Sequence, residues 1–183
     1  KTTENGEVTI ARVRLKSLHE IKQAVKEIRE VLKWSIILEE GRIIDCEHIR
    51  TLKTAKFIYP KEQEERIINK INTRNLADVH HDIENFIRML CRELYHPDDV
   101  REALVKLSGA LLYSIRHIST SLYEELKQTE VIDKIRGSAS MQKIKNVLQN
   151  LVDQVSTKSK ERESVPYSLI IQKTLKMIQS HYM

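Results

Sequence analysis

The residues of this chain best suited to chemistry are its histidines, its two cysteines and its paired acids. His80-His81-Asp82 comes first, because a histidine beside an acid on a helix can accept a phosphoryl group. The proline that should follow a few residues on is missing, however, and the chain has no glycine-rich nucleotide-binding stretch. A solvated polar face is the simpler reading. Cys46-x-His48 offers two zinc ligands, but a structural zinc site takes four and no second pair is suitably spaced. Alternating residues on a strand are expected there instead. His96 and His117 fall near predicted helix ends, where a histidine more often caps a C-terminus than binds metal. Glu64-Glu65 and Asp98-Asp99 sit at predicted helix starts, where the positive end of the dipole favours carboxylates. No serine, cysteine or lysine has a visibly paired base, and there is no P-loop or dinucleotide fingerprint. These patterns predict no catalytic residue, no metal site and no cofactor. An enzyme is not expected.

The elements that position these residues follow from periodicity. Only 4 Gly and 3 Pro punctuate 183 residues, which argues for long helices and short connections. Glu7 to Leu15 alternates as a strand, with a phase switch near Ala11-Arg12. Ser17 and Glu20 form a capping-box sequence ahead of a helix running to about Leu38, with Leu18, Ile21, Val25, Ile28 and Leu32 as its stripe. Gly41 is placed to end it, and Arg42 to Ile49 reads as a second strand. The N-terminal third is therefore β-α-β, a parallel pair with a right-handed crossover. One such unit cannot bury both faces of a sheet. It should be the tail of a larger α/β domain or lean on the helices that follow.

Phe57 to Ile71 marks the change to helix, with Tyr59-Pro60 leading into a glutamate-rich first turn and Pro60 expected at the first helical position. Asn75 precedes the stripe Leu76, Val79, Ile83, Phe86, Ile87, Leu90 and Leu94. After His96-Pro97 a further helix carries Val100, Leu104, Leu107, Leu111, Ile115 and Ile118. Short connections favour antiparallel neighbours. Ser119 to Leu126 and Glu130 to Ile135 predict two short helices, closed by Gly137. Ser140 opens a helix with Met141, Ile144, Leu148, Leu151 and Val155. Thr157 to Ser164 reads as a frayed end plus linker, and Pro166 restarts a helix with Tyr167, Ile171, Leu175, Ile178 and Tyr182. The fold class expected is mainly α, an antiparallel helical bundle with a short N-terminal β-α-β piece.

Composition narrows the partners. Lys and Arg number 31 against 26 Asp and Glu, a net charge of +5 that is compatible with nucleic acid without requiring it. Lys143, Lys145, Lys158, Lys160, Arg162, Lys173 and Lys176 outnumber Asp153, Glu161 and Glu163, so this stretch could lie near DNA phosphates; an ordinary solvated face plus linker is the simpler reading. Aromatic residues are too sparse for a base-stacking platform. Cys46 and Cys91 make no paired motif, so a reducing cytoplasm is expected. No apolar run spans a membrane and no signal peptide is visible. The sequence starts without methionine and in mid-pattern, as expected of a fragment.

Two stretches carry a family resemblance. Leu18 to Leu32 followed by Trp34-Ser35-Ile36-Ile37-Leu38-Glu39-Glu40-Gly41-Arg42-Ile43-Ile44-Asp45-Cys46-Glu47-His48-Ile49, then Tyr59-Pro60, resembles the region upstream of the DNA-binding domain in AraC-type regulators of the YesN-like kind. Cys46 and His48 replace the commoner tyrosine and acid, and Val25-Lys26-Glu27-Ile28 replaces the usual Tyr-x-Glu-Ala. Ile170 to Tyr182 is similar to the first helix of the AraC-type DNA-binding domain, with Met177 where tyrosine is frequent. The resemblance implies three parts. Residues 1–54 would be the C-terminal β-α-β part of a degenerate GGDEF-like domain, and 57–160 a helical regulatory or linker bundle. Residues 165–183 would be the first helix of a truncated DNA-binding domain. It further implies a cytoplasmic homodimer that relays a signal from an upstream sensor or two-component receiver to DNA through a domain absent from this chain. No DNA-contacting residue is identified. The alternatives are a helical small-ligand-binding domain, with its pocket among the Leu76 to Ile118 helices, and a histidine phosphotransfer protein using His80 or His81.

Overall fold

The computed structural model describes residues 8–15, 17–38, 41–128 and 131–163, which are mainly helical with one short parallel sheet. Strand β1 (Ile10–Arg12) pairs with β2 (Ile43–Asp45), placing Ile10 opposite Ile43, Ala11 opposite Ile44 and Arg12 opposite Asp45. Between the strands run a 3-10 turn at Leu18–Glu20, helix α1 (Ile21–Leu32) and a second 3-10 turn at Lys33–Ile36. The β-α-β order read from the sequence is present. Side-chain alternation divides the sheet into two unlike faces. Ala11 and Ile44 belong to a small core with Ile28, Val31, Trp34 and Cys46. On the opposite face Ile10 and Ile43 are 53% and 65% exposed, and Arg12 meets Asp45 at 2.7 Å.

Several local expectations change. The strand expected over Arg42 to Ile49 stops at Asp45, and Cys46–Thr51 forms helix α2. Asp45 explains the stop, because its carboxylate accepts the Glu47 amide at 3.0 Å and caps the new helix. Cys46 and His48 therefore lie on a helix, the cysteine buried and the histidine exposed. The capping box at Ser17 does not close: the chain enters as a 3-10 turn and Ser17 makes no side-chain cap bond.

The remaining helices are α3 (Lys61–Asn72), α4 (Val79–Arg92), α5 (Pro97–Ile118), α6 (Thr120–Gln128), α7 (Val131–Gly137) and α8 (Met141–Glu163). Helix α5 is central, touching α3, α6, α7, α8 and the Lys33–Ile36 turn, while α8 also lies along α4. Their apolar stripes merge in one core that includes Ile67, Phe86, Leu104, Leu107 and Leu148. Pro60 is the N-cap of α3, one residue ahead of its expected place. Helix α4 starts at Val79, not Leu76, because Asp78 takes a left-handed conformation at its N-cap, φ 60°. Arg74 is left-handed as well, φ 55°, so the α3–α4 connection is bounded by two residues that carry backbone strain.

His96 caps the N-terminus of α5, not the C-terminus of a preceding helix, its Nδ1 accepting the Asp98 amide. Helix α8 continues to Glu163, so most of the stretch expected to be a linker is helical. Lys, Arg and Glu are good helix formers, and neither Gly nor Pro interrupts them. Ser164, the helix expected from Pro166 and the Ile170 to Tyr182 stretch lie outside the described residues. No described helix is long and apolar enough to cross a membrane.

Candidate functional site

The segment leading into α3 is fastened by its aromatic residues. Phe57 packs edge-on against Tyr95 at 5.1 Å between ring centroids, and Tyr59 against Phe86 at 5.9 Å. Lys106 of α5 places its ammonium 3.7 Å from the centroid of the Tyr59 ring, a cation–π contact. The Tyr59 hydroxyl donates to the Glu64 carboxylate. Burial, then the hydrogen bond to Glu64, pushes the phenol far above its ordinary pKa, so it remains protonated. Ala55 adds a backbone bond to the Leu94 carbonyl at 2.9 Å. Glu64 is thus a phenol acceptor at a helix start, while Glu65 pairs with Lys61 at 3.5 Å.

The α4–α8 seam takes up one member of the histidine cluster read from the sequence. His80 Nε2 lies 2.9 Å from Asp153, while His81 is exposed. Asp82 is buried, with Oδ2 2.6 Å from Lys70 Nζ; this is an ion pair without hydrogen-bond alignment. Glu84 accepts from Lys145 at 3.0 Å, and that bond holds its carboxyl below the usual range. An open cleft of about 310 Å³ lies beside this pair, lined by Glu84, Ile87, Arg88, Met141, Gln142 and Lys145. Of the basic stretch singled out in the sequence, Lys143 is exposed and Lys145 is engaged.

The third site joins the β-α-β layer to the helices. Ile36, 1% exposed, lies in the helical core although its neighbour Trp34 belongs to the small core under the sheet. Lys33 bridges Glu30 at 2.8 Å and Asp98 at 3.1 Å. Trp34 meets the His96 ring edge-on at 6.0 Å between centroids. The Ser35 hydroxyl is shared between the Leu32 carbonyl at 2.8 Å and the Ala139 carbonyl at 3.0 Å. Arg101 of α5 approaches the same α7–α8 connection, its Nη1 donating to the carbonyls of Ile135 (3.2 Å), Arg136 (2.5 Å) and Ser138 (2.7 Å). These carbonyls would otherwise be left unpaired at the end of α7. Four consecutive residues, Lys33 to Ile36, therefore contact α5, its N-cap and the entry to α8.

His117 stacks edge-on with Tyr113 at 4.6 Å near the end of α5. Cys46 and Cys91 are free thiols with pKa values raised by burial. Among the described residues, no three His, Cys, Asp or Glu side chains gather as a metal site. The structure thus brings His80 to Asp153 and His96 to Trp34, and leaves His48, His81 and His117 apart from any shared cluster. Ser35 and Arg101 were missed by sequence reasoning. Their partners lie 104 and 34–37 residues away, and no local pattern marks such contacts.

Fold and contacts define a mainly α protein with a short parallel sheet, joined to its helices by the Lys33–Ile36 turn and by Leu94, which packs against the small core under the sheet. No family model, curated protein or solved structure matches the chain.

Proposed function

We propose that this chain is a non-catalytic regulatory and linker module of an AraC-type, YesN-like transcriptional regulator, relaying a signal to a DNA-binding domain and mediating dimerisation in the cytoplasm. In this reading residues 1–54 close a degenerate GGDEF-like domain, 57–160 form an antiparallel helical bundle, and 165–183 begin the DNA-binding domain. The supporting observation is the Lys33–Ile36 turn, whose side chains reach both cores and the start of α8. A relay requires packed elements with two arrangements whose balance an input shifts. The turn offers a physical route from the sheet layer to the helices. The exposed Ile10 and Ile43 support continuation of the sheet layer, since parallel sheets bury both faces.

Two measurements on this reading act together. Sedimentation of the purified chain should show a dimer at high concentration, and deletion of residues 60–155 from a full regulator should abolish induction. A monomer at all concentrations together with intact induction defeats the proposal. DNA binding by this chain alone should be weak, salt-sensitive and sequence-independent. Tight specific binding in a gel shift would contradict it.

The α4–α8 cleft favours a second reading, a helical domain that binds a small ligand. Ile87 and Met141 supply apolar wall and Arg88 supplies positive charge, while Lys145 is paired with Glu84 of the same lining. A thermal-shift screen of small organic carboxylates tests it, with stabilisation lost on Arg88→Ala as the supporting result.

A further inference from the structure

The entry to α8 is held from two sides by elements remote in sequence. Ser140 caps the helix, its hydroxyl accepting the Lys143 amide at 3.2 Å, and its carbonyl accepts the Ile144 amide at 3.2 Å. The residues just before it are gripped separately. Arg101 of α5 holds the Ser138 carbonyl, and Ser35 of the N-terminal layer holds the Ala139 carbonyl. Ser35 is buried, while Ala139, whose carbonyl it holds, is exposed. Trp34 and Ile36, on either side of it, are embedded in the two different cores. A shift of α1 against the helices that carries Ser35 with it must therefore break its bond to Ala139.

We propose that the Ser35–Ala139 bond is a latch through which the N-terminal β-α-β layer controls the order of the first turn of α8, with Arg101 as the fixed side of the clamp. The latch rests on the relay reading for its purpose, but its existence is a property of this chain alone. Arg101 belongs to α5 and anchors the connection to the helical core whatever the sheet layer does. Ser35, of the two, belongs to the turn that joins that layer to the helical core. Opening the latch leaves α7 capped and releases the residue next to the α8 N-cap, so the disturbance enters α8 at its start.

Residue-resolved hydrogen exchange on the whole chain tests this. Ser35→Ala should speed exchange of the Lys143 and Ile144 amides roughly three- to tenfold, the loss of one hydrogen bond, and leave Phe86 and Leu90 of α4 unchanged. Val31→Ala loosens the small core without touching α8, because Val31 packs under the sheet. It should speed the same two amides when Ser35 is present and add nothing when Ser35→Ala is already in place. Equal increments in both backgrounds, no change at Lys143 and Ile144, or an equal rise at Phe86 and Leu90 would each overturn the latch. Regulation is read separately, by induction in the full regulator. A latch that passes the exchange test beside a chain that stays monomeric at all concentrations and intact induction after deletion of 60–155 would leave the contact standing and the relay reading refuted.

Discussion

Ile36→Ala is the substitution that best separates one packed structure from two. Ile36 belongs to a turn contiguous with α1, yet its side chain is fully buried among the helices. Truncation to alanine removes three carbons, worth about 2.4 kcal/mol at ~0.8 kcal/mol each. A partly collapsed cavity adds about 1 kcal/mol, for a total of about 3.5 kcal/mol. For a chain of this size that corresponds to a fall in Tm of roughly 7–14 °C. The single tryptophan makes the assay direct, since Trp34 is 5% exposed in the small core under the sheet while most far-UV ellipticity comes from the helices. Urea unfolding followed by Trp34 emission and by ellipticity should give coincident midpoints, before and after the substitution. Both should shift together. If the emission midpoint falls while the ellipticity midpoint stays, the layer and the helices unfold separately and the reasoning fails. A loss below about 1 kcal/mol would also refute it, because even the transfer term of about 2.4 kcal/mol would then be missing.

Further expectations concern pH and backbone strain. The Glu84 carboxyl is held below its ordinary value of 4.5 by Lys145, so its contribution is present above that value and is lost as pH falls through the depressed one. Lys145→Met should flatten part of the acid limb of a stability–pH curve; an unchanged limb counts against the pair. Tyr59 has the opposite sign: its raised pKa stabilises fully below the ordinary value of 10.0 and less as pH rises above it. Tyr59→Phe should lessen the alkaline loss of stability, and a phenolate band from Tyr59 at pH 10–11 in the folded chain would contradict the burial argument. Arg74→Gly should stabilise by about 0.5–1 kcal/mol in urea unfolding, because glycine relieves a left-handed φ but adds chain entropy to the unfolded state. Destabilisation there would mean that the arginine side chain does more than the backbone costs.

Much of this fold was legible where a stripe was long. The apolar positions of α4, α5 and α8 repeat over several turns; α4 and α5 formed with boundaries shifted by only a few residues, and α8 formed but runs on to Glu163. Short or locally ambiguous stretches misled. Ile43-Ile44 extends as a strand, but Asp45 caps a helix in the same run, and six residues are too few for periodicity to separate the two states. Thr157 to Glu163 lacks apolar anchors and so reads as linker, although its composition favours helix and nothing stops it. The candidate interface was the least legible part. His80 and Asp153, Lys33 and Asp98, and Ser35 and Ala139 are paired by tertiary packing across tens of residues. Periodicity carries no information about such pairs. The histidine cluster was conspicuous in sequence; the serine that joins the two cores was not.

The relay reading is tested most directly by induction in a full regulator carrying Ser35→Ala, with its DNA affinity measured beside it. The signal-dependent increase in a transcriptional reporter should fall severalfold while binding of the uninduced protein to its operator stays unchanged. Wild-type induction by a protein whose α8 entry is demonstrably loosened would contradict the proposal.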